Sequence, residues 1–332
     1  MINIRNYNKI NLYDLQTSDE FIIQLKKREE YKENEIPSLV SNTMFKTMFY
    51  NTKRLKYSAK FISYYIEISF EDLLKNLKLV KSELDKEYND TKEERSDYVA
   101  EMNGTKINIE VNNNDSKETM ERNMEYAFRL YSEKIKIGED YKDNYNQTIQ
   151  INLNNFSFKG YDKIEDIFTF QSDDGMVLNN KITIIEIFLP NLRKKCYNQG
   201  KESLTEKERY ILGLVEQDKD FSKEIGKDMD IVIDYVDEAG NVTKGTNFGE
   251  AYDKEWALKD QGKREGIKIG KREGIQIGKR EGIQIGKREG IREIAWNFYQ
   301  NGVDTHLILK STNLSKEELD DIIKMKTKEN TK

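Results

Sequence analysis

The period of the apolar positions changes along the chain, and the changes divide it into elements. Met44, Phe45, Met48 and Phe49 recur at helical spacing within SNTMFKTMFYN, residues 41–51, so an amphipathic helix starts there. Upstream, DEFIIQLKKREEYKE reads as a helix; downstream, SAKFISYYIEISFEDLLKNLKLVKSEL reads as a long, mostly helical run. DYVAEM, residues 97–102, reads as a short strand, Asn103-Gly104 as a hairpin turn and KINIEVN as the returning strand. In that strand Ile107, Ile109 and Val111 share one face, while Lys106, Asn108, Glu110 and Asn112 share the other. This is the alternation of a half-buried strand with its polar face outward. ETMERNMEYAFRLYSEKIKIG returns to helical spacing, with Met120, Met124, Phe128 and Tyr131 on one side and Gly138 at its end. QTIQINLNNFSF, DIFTF and KITIIEIFL read as strands, with SDDG from Ser172 to Gly175 as a turn, and LTEKERYILGLVEQD opens a helical region. The order predicts an α/β or α+β arrangement with one sheet covered by helices.

From Gly262 to Glu293 the pattern becomes a repeat: GKREGIKI, GKREGIQI, GKREGIQI, GKREGIRE, with Gly at every fourth position. On a helix these glycines form a slowly drifting stripe, and each costs roughly 1 kcal/mol against Ala in a helix interior. Two readings stand: a charged, semi-flexible spacer, or a helix that packs against a partner along its glycines. The remainder, IREIAWNFYQNGVDTHLILKSTNLSKEELDDIIKMK, reads as three short helices. Gly302 closes the first, and Ser315 with Glu318 makes a capping box for the last. Ile294, Phe298, Leu307, Ile308, Leu314, Leu319, Ile322 and Ile323 are the expected core of this helix-turn-helix-like tail. A DNA-reading helix opens with basic or amide groups; this one opens KEELDD, which favours a structural or protein-contact module.

Composition narrows the chemistry. The 332 residues carry a formal net charge of −5, so nucleic-acid contact rests on a local patch rather than on a basic coat. One cysteine, Cys196, allows neither an internal disulfide nor a Cys-based zinc site. One histidine, His306, stands in the tail with nothing about it that suggests a nucleophile pair. The most apolar segment, Ile182 to Pro190, is too short to span a bilayer and carries Glu186. The N-terminus lacks the apolar run of a signal peptide. The expectation is a cytoplasmic protein without membrane contact, whose chemistry uses carboxylates, Lys, Arg, Tyr and amides. That donor set suits hard divalent metals.

The hairpin then becomes the candidate site. Asp97 opens one strand and Glu110 lies on its partner, and antiparallel register brings such carboxylates close. With the Val111 carbonyl they can ligate Mg²⁺ through oxygen alone. Spacing leaves a second reading open, in which both are exposed strand acids with no joint role.

The ordered set Asp97, Ile107-Asn108-Ile109-Glu110-Val111-Asn112, Arg122 with Tyr126, and Gly138 with Tyr141 resembles the Rpn-type PD-(D/E)XK nucleases, known as recombination-promoting nucleases or transposases. That family's pattern is an Asp on one strand, Ile-Glu-x-Gln on the next, Arg-x-x-x-Tyr on the following helix and Gly-x-x-Tyr after it. Met44-Phe45-Lys46-x-x-Phe49 is similar to its N-terminal helix, and LTEKER, the Gly-Lys-Arg-Glu-Gly array and the small helical tail are similar to its usual ending. The resemblance implies a restriction-endonuclease-like α/β core, a central mixed sheet flanked by helices, with a C-terminal helical extension. The chain is then expected to divide into a polar segment over 1–40, a nuclease-like domain over 41–260, the octad repeat as spacer or helix over 261–292, and the helical tail over 293–332. The resemblance implies DNA as partner and Mg²⁺ or Mn²⁺ as cofactor, held by Asp97 and Glu110. Asn112 stands at the third catalytic position, where it would orient the attacking water or contact the scissile phosphate. Arg122 and Tyr126, one helical turn apart, would support the site or anchor helix to sheet. A homo-oligomer through the repeat and tail is a further expectation.

Two departures from the pattern set the alternatives. Asn112 is shorter than Gln and lacks the charge of the Lys in the parent motif, and Asn42 stands where the family places an acid. Lys106 shares the face of Glu110 but lies about 13 Å along the strand, so Arg122 or Arg129 is the better source of charge. The chain is therefore expected to be either a metal-dependent DNA endonuclease or a weakened, binding-only descendant.

Overall fold

The computed structural model describes residues 15–80, 96–113, 117–132, 147–172 and 174–329. Gly138, Tyr141 and the middle of the SDDG turn lie outside these residues. Its compact units are Met1–Trp256 and Ala257–Lys332.

In the first unit the hairpin is the organising element. Asn103 and Gly104 take φ of 50° and 77°, the double positive φ that a two-residue type I′ turn requires. They join β3 (Tyr98–Met102) to β4 (Thr105–Asn112), which pair antiparallel with Tyr98 opposite Ile109. The remaining strands are β1 (Thr17–Ser18), β2 (Lys78–Leu79), β5 (Gln147–Asn154), β6 (Ser157–Phe158), β7 (Glu165–Gln171) and β8 (Val177–Phe188). Six of them form one sheet in the order β2-β3-β4-β5-β8-β7. β4, β5 and β8 run parallel at its centre, and the flanking pairs are antiparallel. This is the expected central mixed sheet. Going from β4 to a parallel β5 requires a crossover, and the helix Lys117–Ser132 lies between the two strands in sequence.

The helices are α1 (Asn42–Met48), α2 (Leu55–Ser63), α3 (Phe70–Asn76), α4 (Lys117–Ser132), α5 (Leu189–Gln199), α6 (Glu206–Val215), α7 (Lys219–Ile225), α8 (Asp230–Thr243), α9 (Thr246–Gln300), α10 (Thr305–Thr312) and α11 (Lys316–Glu329). α1 starts at Ser41, whose hydroxyl accepts the N–H of Met44 at 3.1 Å, and it buries Met44, Phe45 and Met48. Phe45 packs on Tyr98 with ring centroids 6.4 Å apart, so α1 is seated on the β3 end of the sheet. Ile107, Ile109, Ile151, Leu153, Ile185 and Ile187 join this same main core, with residues of α1, α2, α6 and α8. α4 packs across β4, β5 and β8, burying Tyr126, Ala127 and Leu130.

Three local expectations are corrected. Residues 19–33 do not form the predicted helix; only a 3₁₀ turn, Arg28–Glu30, appears there. The cause is distant in sequence: the side chain of Asn155 accepts from the N–H of Ile23 and donates to its carbonyl, both at 2.8 Å. With both backbone groups of Ile23 taken by Asn155, neither is left for a helical ladder. The long helical run after residue 58 breaks into α2, α3 and the edge strand β2, because the Ser69 hydroxyl caps a new helix by accepting from Asp72 N–H. Finally, the polar face of β4 is not outward: Asn108, Glu110 and Asn112 are all buried. A central strand covered on both sides hides both faces.

In the second unit the repeat is helical throughout, within α9. No Cβ added at Gly262, Gly266, Gly270, Gly274, Gly278, Gly282, Gly286 or Gly290 would meet an atom within 4 Å. The repeat isoleucines, from Ile267 to Ile285, are half exposed or more. The tail buries Ala295, Ile308, Leu319 and Ile322, with Leu314 and Ile323 partly buried against them. Ile294, Phe298 and Leu307, expected in that core, are exposed, and Ala295 is buried instead. The Ser315–Glu318 capping box forms as read from the sequence. His306 is on the surface of α10, Cys196 is half-buried, and no described helix is long and apolar enough to cross a membrane.

Candidate active site

Asp97 and Glu110 are brought together by two reciprocal hydrogen bonds across the hairpin. The backbone N–H of Asp97 donates to Glu110 Oε1 at 3.1 Å, and the backbone N–H of Val111 donates to Asp97 Oδ2 at 3.2 Å. Asn108 Nδ2 adds a second donor to Glu110 Oε1 at 3.2 Å. Glu110 is 2% exposed, so the reading of two exposed strand acids does not describe it. Burial pushes Glu110 well above the usual carboxylate range, and the charge of Asp97 pushes it further; Arg122 pulls the other way. Burial raises Asp97 as well, against the Val111 N–H, Lys46 and Arg122. Two carboxyls that resist joint ionisation, held side by side and short of counter-charge, are what a cation would relieve.

The polar face of β4 continues as a hydrogen-bonded ladder under α4. Asn108 Nδ2 donates to Gln150 Oε1 at 2.8 Å, and Gln150 Nε2 donates to Asn152 Oδ1 at 2.7 Å. Asn152 and Asn154 each donate at 2.7 Å to one oxygen of Glu186. Asn112 Nδ2 donates to Asn154 Oδ1 at 2.9 Å, and Arg122 Nη2 donates to Asn112 Oδ1 at 3.3 Å. Parallel register explains the row: Glu110 pairs with Asn152, and Asn152 with Glu186, so all three side chains leave the sheet on one side. Glu186 is 6% exposed, and burial raises it to about 7 against the two amide donors.

The predicted site residues therefore divide. Asp97 and Glu110 meet. Asn112 adjoins them in the strand, but its amide is engaged on both sides. Arg122 reaches Asn112 and lies 5.9 Å from the Tyr126 ring, in cation–π range. Tyr126 itself is buried in the α4 face against the sheet. Lys106 pairs with Glu101 at 2.7 Å, and Arg129 pairs with Glu125 at 2.8 Å. Asn42 leaves its buried Oδ1 without a hydrogen-bond partner.

Sequence reasoning missed three residues. Glu186 was noticed only as a charge interrupting an apolar run; its signal was an acid inside a strand whose neighbours are all apolar. Lys46 follows Phe45, which packs on the residue after Asp97, and its charge pulls Asp97 down. Glu255, far away in sequence, accepts the Thr43 N–H at 2.8 Å and the Thr43 hydroxyl, and its charge also acts on Asp97.

Among the described residues no group of three or more His, Cys, Asp or Glu side chains is arranged to hold a metal ion. The pair itself still fits a hard divalent ion: Mg²⁺ commonly takes one or two protein carboxylates and fills its other positions with water and substrate phosphate.

Residues 40–254 match the family described as PD-(D/E)XK nuclease family transposase. The chain belongs to this family. The match spans well over half of the 332 residues and contains the hairpin, α4 and the ladder, but stops one residue short of Glu255. The mixed sheet flanked by helices fits the restriction-endonuclease-like fold of PD-(D/E)XK proteins. No curated protein and no solved structure matches the chain.

Proposed function

We propose that the chain is a Mg²⁺- or Mn²⁺-dependent DNA endonuclease of the recombination-promoting, transposase type, which hydrolyses phosphodiester bonds. The observation that carries this reading is the interlocked Asp97–Glu110 pair at the hairpin of a PD-(D/E)XK family sheet. A bound divalent ion would supply polarisation of the phosphodiester and a lowered pKa for its water. Asp97 and Glu110 would hold it. The chain's other groups position. Asn112 keeps the Arg122 guanidinium at the edge of the pair, and Asn154 and Glu186 keep Asn112 in place. Hydrolysis adds water across one P–O ester bond, giving a phosphomonoester end and a hydroxyl end. Nicking of supercoiled plasmid that appears with Mg²⁺ or Mn²⁺ and stops with a chelator tests the reading; nicking indifferent to both overturns it.

A second reading, a nuclease-fold protein that binds DNA or protein without cutting, is favoured by Asn112 and Asn42, amides where the family pattern places a longer or charged group and an acid. Under it, wild type does not cut, and Asn112→Lys with Asn42→Asp restores cleavage. Self-association through the exposed isoleucines of α9 accompanies either reading; light scattering of the chain truncated after Gly262 against the full chain tests it, an unchanged oligomeric state removing the idea.

A further inference from the structure

We infer that Lys46, on α1, is the phosphate-binding cation of the site and fills the role that the uncharged Asn112 leaves open, and that Glu255 is its positioning residue. The inference rests on the reading above that the Asp97–Glu110 pair acts on a phosphodiester.

The other cations discussed above are engaged. Lys106 and Arg129 are paired to Glu101 and Glu125, and Arg122 holds Asn112. Arg54 is bound to Glu238 at 2.6 Å and to the Thr47 carbonyl at 3.3 Å. Lys46 is exposed, and among the described residues no hydrogen bond or ion pair takes its ammonium. A compact, hydrated, unpaired ammonium on a long stem is a phosphate-binding group.

The helix that carries it is held from three directions. Phe45, the preceding residue, is fully buried on Tyr98, which follows Asp97 in the chain. The Val40 carbonyl, two residues ahead of α1, accepts from Asn113 Nδ2 at 2.8 Å, which ties the start of the helix to the end of β4. Glu255 accepts both the N–H and the hydroxyl of Thr43 in the first turn, where a carboxylate also complements the helix dipole. Thr43 and Lys46 are three residues apart and share a helix face. The contacts of Phe45 with Tyr98 and of Val40 with Asn113 set α1 beside the residues that adjoin the pair in β3 and β4. Lys46 from α1 and Arg122, held on Asn112 from α4, would then flank one anionic phosphate from different elements.

The test uses the full chain and a short DNA duplex, with Ca²⁺ as the divalent ion, read by fluorescence anisotropy over a salt series. Lys46→Ala is expected to lose about tenfold in affinity and to lower the slope of log K against log salt by about one, as removal of a single phosphate contact does. Lys46→Arg retains both. Glu255→Gln weakens binding less than Lys46→Ala and, combined with it, adds nothing. Wild-type affinity and slope in Lys46→Ala overturn the assignment, as does a Lys46→Arg chain that binds no better than Lys46→Ala. Because binding is read without cleavage, the two claims fail separately. A chain that binds through Lys46 but never cuts supports this assignment and sinks the nuclease reading. A chain that cuts, while Lys46→Ala binds as wild type, does the reverse.

Discussion

Glu186 makes the ladder under α4 titrate, and replacing it with Gln isolates that effect. An unfolded glutamate titrates at 4.5, and burial raises the folded group to about 7. Between these values the folded chain binds the extra proton, so stability falls as pH rises and the full loss is reached above 7. A difference of about 2.5 units at 1.36 kcal/mol each is about 3 kcal/mol. Roughly 2 kcal/mol of this falls between pH 5.5 and 8.5. Glu186→Gln also turns an amide donor toward Asn152 or Asn154, a cost of about 1–3 kcal/mol that does not vary with pH. The variant should therefore be clearly less stable than wild type at pH 5.5, with the gap closing by about 2 kcal/mol at pH 8.5. Urea unfolding of the two proteins at the two pH values measures it. An equal gap at both values refutes the reasoning, because Glu186 would then ionise in the folded state as it does in the unfolded one.

Mg²⁺ at about ten times its Kd should stabilise wild type by about 1.4 kcal/mol. The gain grows as pH rises, because the raised carboxyls of Asp97 and Glu110 must lose their protons to bind. Asp97→Asn and Glu110→Gln should abolish this thermal shift; a shift that survives in both places the metal elsewhere. In the repeat, no neighbour occupies the space a Cβ would enter, so Gly270→Ala with Gly278→Ala should strengthen the helix by roughly 1 kcal/mol per site. Circular dichroism and amide exchange should report higher helicity and slower exchange, and a loss of helicity would mean that a partner chain needs the glycines.

The hairpin was legible in sequence because its information is local. Asn103-Gly104 permits one turn, and the alternation on either side fixes the register that places Glu110 near Asp97. The same alternation misled about exposure. Whether the face of Asn108, Glu110 and Asn112 meets water depends on β5 and α4, which the strand's own pattern does not encode. A row of Asn, Gln and Glu reads as solvent-facing unless its partners are known, and here the partners are each other. Lys46 and Glu255 were missed for a related reason: one lies 51 residues before Asp97 and the other 158 after it, and only tertiary packing of α1 and α9 brings them to the site. The helix expected over residues 19–33 failed on the same kind of contact, the Asn155 side chain clamping the backbone of Ile23.

Joint action of Asp97 and Glu110 on a phosphodiester is the central claim. The direct measurement is nicking of supercoiled plasmid with Mg²⁺ or Mn²⁺ by wild type and by Glu110→Ala, purified in parallel and both shown to be folded by circular dichroism. The account predicts open-circular product from wild type and none from Glu110→Ala. Equal nicking by the two proteins would contradict it.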